Sequence, residues 1–107
     1  MRRYVRMIRL KRDYIKEYTW YHQQPREELQ NVMLKHGMRN HSIYIHDDML
    51  VSIFDYVGED YEADMAAIGS YQVTQDWLKI MDPMMEPLDT RKPGEFWTFL
   101  EEITHFD

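Results

Sequence analysis

From Tyr4 to Leu10 apolar and basic positions interleave, with Val5 and Met7 on one side and Tyr4, Ile8 and Leu10 on the other, which predicts a first strand. The period then lengthens. Tyr14, Tyr18 and His22 form one vertical row on a helix, with Asp13 as its N-cap and Pro25 as the signal that ends it. A second helix opens at Pro25, carries Glu27 and Glu28 in its first turn, and sets Leu29, Val32, Met33 and His36 on one stripe. Lys35, His36 and Gly37 close it, and His36 there complements the helix C-terminus, a structural role.

Two strands follow, His41 to Asp47 and Leu50 to Val57, so closely spaced that an antiparallel hairpin is the economical reading. Both parities carry bulk: Ile43, Ile45, Val51 and Ile53 on one, Tyr44, Leu50, Phe54 and Tyr56 on the other. Two apolar faces need two covers, one from helices and one from a second subunit or a ligand pocket. Asp60 then caps a helix through Ile68, and Thr74 caps a shorter one holding Trp77, Ile80 and Met81. Asp82-Pro83 breaks that helix. The run from Met81 to Gly94 is a long irregular connection, of the kind that serves a site or an interface, before a last strand from Phe96 to Phe106. The order strand, helix pair, two strands, helix pair, strand is the β-α-β-β-α-β arrangement. It predicts an α+β, ferredoxin-like sandwich, one domain over residues 1–107, with helices on one face of an antiparallel sheet.

Composition narrows the function classes. With 44% hydrophobic and 14% aromatic residues the chain reads as folded rather than disordered. Its net charge of -6 argues against nucleic acid as main partner, because neutralising phosphates needs a basic surface. There is no cysteine, which removes disulfides, thiolate metal sites and a cysteine nucleophile, and no apolar run reaches membrane-spanning length. A cytoplasmic protein is the expectation. Nine methionines line a core or an apolar pocket more readily than they bind metal.

The candidate chemistry is narrow. His41 and His46 lie on opposite sides of a strand, no histidine pair has ligand spacing on a helix, and neither a metal nor another cofactor is expected. The four glycines are isolated, so no phosphate loop is formed, and no nucleophile elbow supports a serine triad. What remains is acid–base work by His22, whose imidazole changes charge between about pH 5 and 8. The helix C-terminus on which it sits favours the charged form. Trp77, Trp20, Tyr18 and Tyr44 offer flat apolar walls suited to a sugar ring. The competing reading makes the Tyr14–Tyr18–His22 row and Trp77 ordinary core.

Several blocks taken together resemble the L-rhamnose mutarotase family. They are Tyr18 with His22, N-x-S-I-Y-I at Asn40 to Ile45, E-A-D-M-A-A at Glu62 to Ala67, and T-Q-D-W-L-K-I-M-D-P-M at Thr74 to Met84. The closing G-E-F-W-T-F-L-E-E-I-T-H-F-D at Gly94 to Asp107 belongs with them. The resemblance implies a cofactor-free aldose epimerase acting at the anomeric carbon, built as a homodimer of ferredoxin-like subunits in an α/β-barrel-like assembly. It implies His22 as proton donor and Tyr18 as a substrate contact. A second contact, usually tyrosine, falls on His41, and the family's tandem tryptophans fall on Trp77 and Leu78. The expected substrate is L-rhamnose or a related aldose. Other chemistries of small ferredoxin-like dimers, such as a cofactor-free monooxygenase, and a non-catalytic binding or assembly module are the alternatives.

Overall fold

The computed structural model describes residues 1–107. The alternating N-terminal run forms β1 (Arg2–Leu10), and a 3₁₀ turn at Arg12–Tyr14 leads into α1 (Ile15–His22) and α2 (Glu27–Lys35). The hairpin is β2 (Met38–His46) and β3 (Met49–Tyr56), followed by α3 (Tyr61–Ser70) and α4 (Gln72–Met81). Two short strands, β4 (Met85–Glu86) and β5 (Thr98–Phe99), complete the sheet.

All pairings are antiparallel, in the order β2-β3-β1-β4, with β5 against β1 on the edge that β4 also uses. The ladder therefore has the split βαβ order of the ferredoxin-like sandwich. The expected last strand from Phe96 to Phe106 shrinks to Thr98–Phe99, because β4 already occupies the Arg9–Leu10 end of that edge. Beyond it Ile103 and Phe106 are almost fully exposed. The missing length is supplied from the stretch expected to be irregular, where Met84, Met85 and Leu88 are buried under the sheet's end.

The hairpin turn corrects the assignment of faces. With only Asp47 and Asp48 between His46 and Met49, odd positions of β2 face even positions of β3. Ile43 and Ile45 thus share a side with Leu50, Ser52 and Phe54, while Val51 and Ile53 share the other with Ser42 and Tyr44. Helix starts also differ from expectation. Asp60 does cap α3, accepting from the Ala63 N–H at 3.1 Å. Asp13 lies instead within the 3₁₀ turn, and Thr74 is buried inside α4 rather than capping it.

Two hydrophobic clusters fill the space between sheet and helices. One gathers Ile8, Leu10, Tyr18, Leu50, Met81, Met84 and Met85; the other gathers Val32, Met38, Phe54 and Ile68. On β1 the residue between Tyr4 and Ile8 is Arg6, and on β3 the residue between Leu50 and Phe54 is Ser52; these two are paired. A polar seam therefore runs between the two cores, on the helix-covered side of the sheet.

Candidate active site

His22 is the last residue of α1, which stops there because Pro25 follows three positions on. Its Nδ1 lies 2.8 Å from the Tyr18 carbonyl oxygen one turn back. A carbonyl only accepts, so Nδ1 carries the proton and the neutral ring keeps a bare lone pair on Nε2. The imidazole stacks on the Tyr18 ring at 4.1 Å and meets Trp77 edge-on at 5.1 Å. Burial lowers the His22 pKa; the Tyr18 carbonyl opposes that shift and Arg26 adds to it. Desolvation thus outweighs the dipole effect expected at a helix C-terminus, and the resting ring is neutral.

His22 lines a cleft of about 460 Å³ together with Arg26, Met33, Met38, His41 and Ile43, among others. His41 arrives there through an irregularity in β2 between Arg39 and Ser42, where Asn40 adopts a left-handed φ of 52°. Its Nε2 lies 3.0 Å from the Ser52 hydroxyl, and its ring stands edge-on to Phe54 at 5.8 Å. Burial, then Arg6, Arg26 and His22, push its pKa down to about 4, so it too is neutral at physiological pH. Tyr18 is 3% exposed, and burial raises its phenol to about 12, with Arg6 and Arg26 pulling the other way. It is a hydrogen-bonding phenol, never a phenolate, in this site.

The structure also brings in two residues that spacing did not single out. Arg6, on the seam, donates from Nε to the Ser52 hydroxyl at 3.3 Å. Its guanidinium lies over the rings of Phe54 at 5.3 Å and Trp97 at 4.7 Å. Arg26, at the start of α2, lies over Trp77 at 5.2 Å and has a buried Nε without a hydrogen-bond partner. Neither arginine has a carboxylate within 4.0 Å, whereas Arg3, Arg9 and Arg12 are paired with Asp55, Asp48 and Asp47. The available signal was parity: Arg6 shares its side of β1 with Tyr4, Ile8 and Leu10, the side that faces helices.

His22 thus touches both Tyr18 and Trp77 and lines a cleft with His41, whereas Tyr18 and Trp77 lie outside that lining, Trp77 facing a neighbouring groove with Trp20, Tyr21 and Arg26. Leu78 is 41% exposed on α4 and makes none of these contacts. Trp20 and Tyr44, expected as further walls, are more than half exposed, and Tyr44 projects from the opposite side of the sheet. No three His, Asp or Glu side chains converge as a metal-binding group, and no helix is long and apolar enough to cross a membrane. The chemistry on offer is proton transfer by one imidazole beside aromatic surface, in a cleft with unpaired positive charge.

Residues 3–106 match the family model described as L-rhamnose mutarotase. An L-rhamnose mutarotase of Lactiplantibacillus plantarum is 27% identical over the full length of both chains. That of Opitutus terrae is 33% identical over 91 residues, 85% of each chain. Among solved structures, an L-rhamnose mutarotase from Formosa agariphila superposes over the whole of both chains with a TM-score of 0.76 at 20% identity. A type-II polyketide cyclase from Streptomyces glaucescens, at 11% identity, covers all of this chain and 98% of its own with a TM-score of 0.69. At those identities the two structures speak to the fold alone.

Proposed function

The chain belongs to the L-rhamnose mutarotase family, and we propose that His22 carries out the proton transfers by which it interconverts sugar anomers. Sugar mutarotation is the family's activity, and L-rhamnose or a related aldose is the substrate this reading assigns. The carrying observation is the divided imidazole of a residue that lines the cleft: Nδ1 is committed to the Tyr18 carbonyl, which leaves Nε2 without a protein partner.

In the resting neutral state Nε2 takes the proton from the anomeric hydroxyl as the bond between C1 and the ring oxygen breaks and the C1 carbonyl forms. The imidazolium then gives that proton to the former ring oxygen. Both oxygens are bonded to C1, so one nitrogen serves them with a small shift of the ring. Rotation about C1–C2 presents the other carbonyl face, and the same transfers in reverse close the pyranose as the opposite anomer. Tyr18 and Trp77 pack against the imidazole and fix its orientation beside the sugar, and His41, on the cleft lining, contributes a neutral hydrogen-bonding edge. General acid–base catalysis supplies roughly 10²–10⁴-fold, and free sugars already mutarotate in water, so no cofactor is needed.

A homodimer belongs to the same reading. Val5, Met7, Val51 and Ile53 lie half-buried on the sheet side away from the helices, with Tyr44 exposed beside them. A second subunit is the natural cover, and sedimentation should give twice the monomer mass. We also assign residues 1–107 as one domain working in the cytoplasm, where a cysteine-free chain gives up nothing by lacking disulfides.

The activity is tested by exchange NMR on anomeric protons. With L-rhamnose the protein should raise exchange well above the spontaneous rate; exchange unchanged across rhamnose, fucose and related aldoses would leave a binding module or another chemistry ahead.

A further inference from the structure

We propose that Ser52 and Arg6 lock His41 as a hydrogen-bond donor, its Nδ1–H offered to the sugar while His22 remains the base. This deepens the mutarotase reading and rests on it for the sugar. The observation is one sealed hydroxyl. Ser52 is 0% exposed on β3, the strand between β1 and β2, so it is met from both neighbours. From β1 comes Arg6, its register partner, with Nε 3.3 Å from the Ser52 Oγ. From β2 comes His41, with Nε2 3.0 Å from the same oxygen. That hydroxyl makes these two hydrogen bonds and no others. A guanidinium only donates, so Arg6 fills a lone pair of Oγ and the Ser52 O–H still needs an acceptor. Sealed from water, it would cost free energy to leave that O–H unmet, and the acceptor in reach is His41 Nε2. An Nε2 that accepts carries no proton, so the neutral imidazole holds its one N–H at Nδ1.

Nδ1 is the nitrogen left for a ligand. It has no partner in the protein, and the sealed side-chain atoms without partners belong to Arg26, Thr74 and Thr98, so Nδ1 of His41 reaches open space. His41 and His22 line one cleft. Arg6 stands outside that lining, packed over Phe54 at 5.3 Å and Trp97 at 4.7 Å, and acts on the cleft only through Ser52. The two imidazoles therefore offer opposite halves of the proton chemistry. His22 keeps a lone pair on Nε2 and takes the proton of the anomeric hydroxyl. His41 keeps an N–H and, with Nε2 already bound, takes none. As the bond from C1 to the ring oxygen breaks, that oxygen gains negative charge, and a donor already in place stabilises it. The position that the family resemblance gives to a tyrosine, whose hydroxyl can donate or accept, is here held to donation alone. Ser52 and Arg6 are positioning residues, since neither needs to touch the sugar.

Long-range proton–nitrogen correlation NMR of the isotope-labelled full chain separates the two imidazole tautomers, and His41→Gln identifies the His41 signals. At neutral pH the free protein should show His41 as the Nδ1–H form alone; the Nε2–H form, or a mixture, overturns the inference. Ser52→Ala should bring in the second tautomer and slow anomer exchange of L-rhamnose roughly 2–10-fold, the range of one hydrogen bond. The loss should fall on kcat rather than KM, because the donor meets charge that exists only as the ring opens. The pH profile set by His22 should stay in place. A tautomer and a rate both unchanged in Ser52→Ala overturn the lock. His41→Asn, whose amide nitrogen can stand where Nδ1 stood, should exchange the sugar faster than His41→Gln, whose amide reaches the Nε2 position; the reverse order also overturns it. If Ser52→Ala does not fold, the wild-type tautomer and the Asn–Gln order decide. If no sugar exchanges, the mutarotase reading fails, and the tautomer of the free protein still decides whether His41 is locked.

Discussion

Two helices of this protein end on a histidine, and the two rings are treated in opposite ways. His36 follows α2, and both its nitrogens are spent: Nδ1 faces the Asp64 carboxylate at 3.2 Å and Nε2 the Tyr71 hydroxyl at 3.0 Å. Tyr56 donates its hydroxyl to the same Asp64 and accepts from the Asp60 N–H at 3.0 Å, so the cluster ties the ends of α2, β3 and α3 together. His22 ends α1 at the lining of a cleft, with one nitrogen on a carbonyl of its own helix and the other without a protein partner. Around His36 every polar group has a partner. Beside His22 lies the Arg26 guanidinium with an Nε–H that has none, and beside His41 lies Arg6, whose one hydrogen bond goes to the Ser52 hydroxyl they share. Satisfied polar clusters fix structure; unsatisfied ones, held in place by packing, await a ligand.

The sharpest way to break the comparison is to delete each ring. His22→Ala should lower anomer exchange by roughly 10²–10⁴-fold, about 3–5 kcal/mol of barrier, with the circular dichroism spectrum unchanged. Full exchange in that variant removes His22 from the mechanism. Next in size is a pH effect on stability at His41. An unfolded imidazole takes its proton near pH 6.5, whereas His41 resists it until about 4. Between those values the unfolded chain binds more protons, so stability rises with pH across the window and is complete above it. Denaturant titrations should show about 3 kcal/mol lost between pH 6.5 and 4 that His41→Gln does not lose. Equal slopes for the two proteins would place His41 in a wetter setting. His36→Ala should do the reverse of His22→Ala, costing about 1–3 kcal/mol of stability through the partners it strands, with exchange within a few-fold of wild type.

The same contrast explains what the sequence made legible. Period alone located both helix pairs, the hairpin and the split βαβ order, because long amphipathic segments announce their covered side. His22 and Tyr18 were visible for the same reason, being one turn apart on a helix with a clear end. β4 was not, since two residues carry no period and Met85 owes its strand pairing to the free end of β1. The hairpin faces were mistaken because the two-residue turn, not the parity count, decides which side chains meet. Arg6 and Arg26 were missed for a deeper reason. Their importance lies in partners they lack, and an absent ion pair is a property of the folded surroundings. Arg3 and Arg6 look alike on β1; only the fold shows that one meets Asp55 and the other meets rings.

The smallest expected effects come from neighbours on α4 that the fold separates. The family resemblance gives Trp77 and Leu78 one shared task, yet only Trp77 touches His22 and Arg26, while Leu78 points outward and is 41% exposed. Trp77→Leu keeps apolar bulk but removes the flat ring from under both side chains. Loss of an aromatic contact is worth about 1 kcal/mol, so KM for the sugar should rise several-fold to tenfold while kcat falls less. Leu78→Ala should leave KM within about twofold, as for a surface substitution away from any packed feature. If the two variants raise KM equally, Leu78 reaches the sugar after all, through the second subunit or a shift of α4. The cleft drawn from one chain would then be only part of the site.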